Sequence, residues 1–179
     1  MQDAAYSTLL RTRRQELHAR IAAALEGGHD IAPEILAHHF GEAGEAEKAA
    51  SHWLEAGRRA LRRSANIEAI AHLTKGLGAL TGLSETDERA RSELKLQLAL
   101  GPTLSATRGW SSPEAERAYR RAERLAQGLG ADRERFDAVW GLWMIHNTGD
   151  APEVAREITS ELFEIAESGS TGSPLDPAR

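Results

Sequence analysis

The chain has 179 residues, of which 41% are hydrophobic, 27% charged and 5% aromatic, with no cysteine and a formal net charge of −5. That length suits one domain with a real core, and the absence of thiols excludes a disulfide scaffold, a thiolate metal site and a cysteine nucleophile. Alanine (31) and leucine (21) are the dominant residues, a helix-forming bias that argues against a β-sandwich, a collagen-like chain or a disordered polymer.

Eight helices and no strand are predicted, because no run of β-branched and aromatic residues alternates with polar ones. The first spans Tyr6 to Leu25, with Leu9, Leu10, Leu17 and Ile21 on its apolar positions, and stops at Gly27-Gly28. Pro33 opens a short second helix that ends at Ala43 before Gly44. The third, Ala46 to Arg63, places Ala49, Ala50, Trp53, Ala56, Gly57 and Ala60 toward the core, and the fourth covers Asn66 to Leu80. Ser84 and Asp87 form an S-x-x-D start for a fifth helix, which Gly101-Pro102 is expected to stop at Leu100. Ser112-Pro113 opens the sixth, to Leu129; the seventh spans Asp132 to His146. After a turn over Asn147 to Pro152 the eighth runs to Glu167, and the Gly-, Ser- and Pro-rich residues 168–179 read as a loose tail.

A repeat underlies these pairs. Trp53-x2-Ala56-Gly57-x2-Ala60 followed by Ala69-x3-Leu73-x2-Gly76 fits the tetratricopeptide pattern, and the 12-residue step from Gly57 to Ala69 is the one a repeat of about 34 residues needs. Small residues let the two backbones approach, and large ones fill the space beside them. The pattern returns as Gly101 with Ala115-x3-Tyr119-x2-Ala122, and as Trp140-Gly141 with Ala155-x3-Thr159-x2-Leu162, both with a step of 14. The predicted fold is therefore all-α: antiparallel helix pairs in a right-handed, tetratricopeptide-like superhelix, an α-solenoid.

Several stretches also resemble a known group of proteins. Asp3-Ala-Ala-Tyr6-x2-Leu-Leu-Arg-x-Arg-Arg-x2-Leu17-His18 is similar to the helix that follows the ATPase module of bacterial AAA/STAND-type signalling ATPases. These often carry a class III adenylate or guanylate cyclase domain. Leu36-Ala37-His38-His39-Phe40-x-Glu42-Ala43-Gly44 and Trp53-Leu-x-Ala-Gly-Arg-Arg-Ala-Leu-Arg-Arg-Ser-Ala65 resemble the segments that lead into and begin their repeats. Leu98-Ala-Leu-Gly-Pro-x-Leu-x-Ala-Thr-Arg-Gly-Trp110 resembles the loop of the second repeat. The resemblance implies a connector helix over residues 1–28, repeats over 29–167, and a tail over 168–179 that leads to a further repeat. It implies an interaction or sensory scaffold for signal transduction; a relay of changes from the repeats to the ATPase through the helix Tyr6 to Leu25 is an expectation that rests only on the position of that helix between modules. The alternative is the repeat region of an ATPase-type transcription regulator whose DNA-binding module lies elsewhere. Neither a G-x4-G-K-[ST] phosphate loop nor the paired metal-binding carboxylates of a cyclase occurs here, so the segment itself is expected to be non-catalytic and to need no cofactor.

Individual residues support the same reading. His38, His39, His52 and His72 lack the converging third and fourth ligands of a zinc site, and helix-surface or inter-helix roles are expected of them. Ser64, Ser105 and His146 form no recognisable nucleophile motif. In the repeat register the first helix of each pair lines a groove, which assigns Leu54, Arg58, Leu61 and Arg62 to it, with Lys95, Arg135 and His146 extending the face. Arg58 and Arg62 stand one turn apart and suit a carboxylate or phosphate, although a solvated basic face beside Glu55 would look the same. Trp110 is expected to plug a seam between repeats.

The partner is thus expected to be a protein or peptide, or another domain of the parent chain. The mild acidity disfavours nucleic acid, including contact through the clusters Arg11–Arg14 and Arg58–Arg63. No apolar run approaches the ~20 residues of a membrane span and no signal-peptide centre is present, so a cytoplasmic setting is expected. Val154, Ile158, Leu162, Phe163 and Ile165 exceed one contact stripe on the eighth helix, which predicts a homodimer through the C-terminal repeat.

Overall fold

The helix boundaries follow local punctuation wherever packing does not overrule it. A computed structural model of the protein describes residues 2–28, 31–110, 112–147 and 152–171, and these contain eight α-helices and no strand. They are α1 (Gln2–Glu26), α2 (Pro33–Ala43), α3 (Ala46–Arg62), α4 (Asn66–Ala79), α5 (Asp87–Arg108), α6 (Pro113–Leu129), α7 (Asp132–Asn147) and α8 (Pro152–Thr171). Pro33 occupies the first turn of α2, and Gly44 ends it at φ 84°, a conformation that side chains with a Cβ avoid. The Ser112 hydroxyl caps α6 by accepting the Ala115 N–H at 3.3 Å. Of the turn predicted over Asn147 to Pro152, Asn147 ends α7 and Pro152 begins α8, and residues 148–151 lie outside the described residues. No helix among the described residues is long and apolar enough to cross a membrane.

α5 departs from expectation at both ends. Its cap is Thr86 rather than Ser84, the Thr86 hydroxyl accepting the Arg89 N–H at 3.2 Å. The helix then passes through Gly101-Pro102 and continues to Arg108 instead of stopping at Leu100. An interior proline removes one backbone donor and costs about 3 kcal/mol. The far side of the break offsets that cost, because Thr103, Leu104 and Ser105 are buried there together with Leu100 and Gly101. The Thr103 and Thr107 hydroxyls also donate to the Ala99 and Thr103 carbonyls, each at 2.7 Å.

The chain forms two compact units, residues 1–84 and 85–179. In the first, α1 packs on α2, α2 on α3 and α3 on α4; in the second, α5 packs on α6, α6 on α7 and α7 on α8, with a lighter contact between α5 and α7. Each unit is thus a stack of sequence neighbours, the arrangement that solenoids use. In the first unit Ala22, Leu36, Phe40 and Ala49 form a core cluster against which the half-buried Trp53 packs. A Cβ added at Gly57 would lie 2.8 Å from the Leu73 side chain, which is fully buried.

The second unit repeats this small-against-large device. The Tyr119 ring lies against both Gly101 and Gly141; a Cβ at Gly101 would stand 2.9 Å from it, and one at Gly141 would intrude into it. Leu94, Ala122, Leu125, Ala126 and Ala138 form the adjoining cluster. An ion pair ties α5 to α6: Arg121 donates to both oxygens of the buried Glu93, at 2.6 and 2.9 Å. On α8, Ala155, Ile158, Leu162 and Ile165 are buried at helical spacing, leaving Phe163, 67% exposed, as the large apolar side chain facing out. Of the five residues expected to exceed one stripe, Ile158, Leu162 and Ile165 are buried, Val154 is half-buried and Phe163 is exposed, so the patch is smaller than expected. The helix itself reaches Thr171, past the predicted end at Glu167; residues 172–179 of the expected tail lie outside the described residues.

Candidate partner-binding surfaces

The basic face predicted on α3 exists in part. Packing of Ala49, Ala50, Ala56, Gly57 and Ala60 inward turns Arg58, Arg59 and Arg62 to solvent, while Leu61 is half-buried. Leu54 is only 8% exposed, so it belongs to the packed side of α3 and not to an open wall. Arg58 and Arg62 form no ion pair with Glu55 or any other described residue; Arg63 does, reaching Glu68 at 3.1 Å across the α3–α4 turn. Earlier on α3 the Trp53 ring is stacked on His72 (centroids 5.4 Å apart) and covered by the Lys75 ammonium at 4.8 Å.

Of the residues assigned to the same face further along, Arg135 and His146 have partners on neighbouring helices. Lys95 is exposed on α5. Arg135 turns toward α8 and binds Glu161 at 2.6 Å. His146 turns toward α6, with Nε2 3.5 Å from both Glu116 and Arg120. Leu54, Arg58, Leu61 and Arg62 lie in the first compact unit, and the other three in the second.

A concave feature that sequence reasoning missed lies in the second unit. Leu98 and Pro102 of α5, Trp110 of the following loop, Tyr119 of α6, and Asp137, Trp140, Gly141 and Met144 of α7 line a cleft of about 380 Å³. Trp110 is 43% exposed on this cleft, an open position for a residue expected to plug a seam. Trp140 is 48% exposed and stacked on Trp143, their centroids 5.0 Å apart. The Trp143 indole N–H donates to Thr159 at 3.0 Å, which fixes that stack against α8. Burial raises the Tyr119 phenol above its ordinary pKa, the nearby Ser105 hydroxyl opposing this more weakly, so the phenol is neutral at physiological pH. Asp137 is then the one charged lining residue, exposed and without an ion-pair partner among the described residues. The sequence did carry a signal: Gly101, Tyr119 and Gly141 stand at positions that the predicted repeat spacing picks out, and Leu98, Pro102, Trp140 and Met144 of the walls lie within three residues of the two glycines.

Histidines gather where α1 meets α2. His18 Nδ1 and His39 Nδ1 stand 3.0 Å apart, and the His38 ring lies 5.8 and 5.4 Å from those of His18 and His39. The short contact requires one Nδ1 to carry its proton and the other to accept it. Burial, then the proximity of His18 and His38, lowers the pKa of His39. His52 stacks on Phe40 at 5.3 Å, with the Lys48 ammonium 4.8 Å from the phenyl ring. Among the described residues no three histidine or acidic side chains are placed to hold a metal ion.

No described protein family and no solved structure matches the chain. An uncharacterized protein of Rhizobium meliloti (strain 1021) is 34% identical to it over 150 residues, which are 80% of this chain. The chain spans only 15% of that relative, which is therefore roughly a thousand residues long.

Proposed function

We propose that the chain is a tetratricopeptide-like interaction module within a much larger bacterial signalling ATPase, often one linked to a class III cyclase. The observation that supports a larger parent is the match to a short part of a very long relative; the ATPase and the cyclase rest on the resemblance of the motifs quoted above. Its support from physics is a glycine set against a large side chain at Gly57 with Leu73 and at Gly101 with Tyr119, the pairs the repeat spacing suggests; Gly141, which that spacing pairs with Thr159, meets Tyr119 instead. Stacked helix pairs present fixed, curved surfaces and bind through them, and the segment needs no chemistry of its own. α1, packed on α2, is the element that would transmit a change in the repeats to a preceding module.

The test is the complete reading frame that contains this segment. A G-x4-G-K-[ST] phosphate loop upstream of Tyr6, with or without a cyclase domain before it, is the expected finding. A frame that carries no ATPase module would overturn the proposal, and a helix-turn-helix module downstream would move the protein to the transcription regulators. The isolated chain is expected to show no ATP hydrolysis and no cyclic-nucleotide synthesis.

A further inference from the structure

The cleft between α5, α6 and α7 combines two features that together select a ligand. Three of its lining residues are aromatic, Trp110, Tyr119 and Trp140, and Leu98, Pro102 and Met144 make the rest of the wall largely apolar. Its only charged lining residue is Asp137, a carboxylate with no cation beside it among the described residues. Asp137 is exposed and hydrated, so an apolar ligand would gain nothing from the carboxylate, and an anion would be repelled by it. A cation attached to an apolar stem satisfies both parts. Aromatic rings attract a cation through their quadrupole, and the carboxylate pairs with it directly.

We propose that this cleft receives an arginine side chain from an extended segment of a partner protein. The three methylenes would lie along Leu98, Pro102 and Met144, and the guanidinium would stack beside the indoles and donate to Asp137. Arginine is preferred to lysine because its flat, weakly hydrated head group stacks on aromatic surfaces and forks onto a carboxylate. A volume of about 380 Å³ is at the small end of ligand pockets and suits one long side chain. Tyr119, held between Gly101 and Gly141, gives the cleft a floor that is formed before binding. The inference rests on the interaction-module reading and gives it a partner chemistry.

The test uses the whole chain and a capped Ala-Ala-Arg-Ala-Ala peptide, with a second peptide that carries uncharged citrulline in place of arginine. Indole N–H resonances, assigned with single Trp→Phe variants, report the site. The arginine peptide is expected to shift the Trp110 and Trp140 signals and leave Trp53 unmoved. The citrulline peptide should bind about tenfold more weakly, as loss of the cation predicts. Asp137→Asn, an exposed change that should leave the circular dichroism unaltered, should weaken the arginine peptide by a similar factor. Equal binding of the two peptides, indifference to Asp137→Asn, or no indole shift at millimolar peptide would each overturn the proposal. None of these outcomes bears on whether an ATPase module precedes the segment, so this inference can fail while the broader reading stands.

Discussion

At Gly57 the packing leaves no room for a methyl group. Leu73, fully buried, stands 2.8 Å from where a Cβ would be. Alanine is the better helix former by about 1 kcal/mol, but overpacking of a closed crossing costs about 1–3 kcal/mol. Gly57→Ala is therefore predicted to lower stability by about 1 kcal/mol in urea unfolding, and a variant more stable than the parent would show that the crossing can relax. His39 sets a pH dependence at the same scale. Its pKa is lowered in the folded chain, so the unfolded chain binds the proton more readily and stability falls as pH drops below 6.5. The titratable groups around it are His18 and His38. Removing the imidazole in His39→Gln should flatten the thermal midpoint between pH 7 and 5; an unchanged slope would mean that the cluster does not couple to folding.

Between elements, the caps and ion pairs decide where helices begin and how they dock. Ser112→Ala removes the acceptor for the Ala115 N–H and should cost about 1 kcal/mol, read from denaturant unfolding. Glu93 ties α5 to α6, and its pKa is lowered, chiefly by the hydrogen bonds from Arg121. Its contribution is present above the ordinary carboxylate range and is lost as pH falls through the lowered pKa. Glu93→Gln should therefore cost about 1.5–3 kcal/mol at neutral pH and reduce the acid-dependent decline expected of the parent below pH 4.5. If the variant and parent decline alike, other carboxylates govern acid unfolding. The eight helices were legible because their punctuation is local: Pro33, Gly44 and Ser112-Pro113 act through φ angles and single donors. Gly101-Pro102 misled for the converse reason, since tertiary burial on its far side outweighs a local break. Leu54 misled similarly. A repeat register fixes a residue's place along the helix but not how closely the neighbour covers it.

At the scale of the whole molecule, the site was less legible than the fold. The basic face on α3 could be read from Arg58 and Arg62, but Arg135 and His146 found acidic partners on neighbouring helices that only three-dimensional packing brings near. The aromatic cleft draws on α5, α6, α7 and a loop, so no single stretch of sequence announces it. The relative's length sets the scale of the proposal, since the 150 aligned residues are 80% of this chain and only 15% of that relative. The most direct measurement is made on the native protein. An antibody raised against this segment, followed by peptide mass mapping of the polypeptide it detects in the source cells, should reveal a chain several times larger than 19.5 kDa that yields peptides from an ATPase module. A single polypeptide of 19.5 kDa, with every peptide mapping inside these 179 residues, would contradict the account.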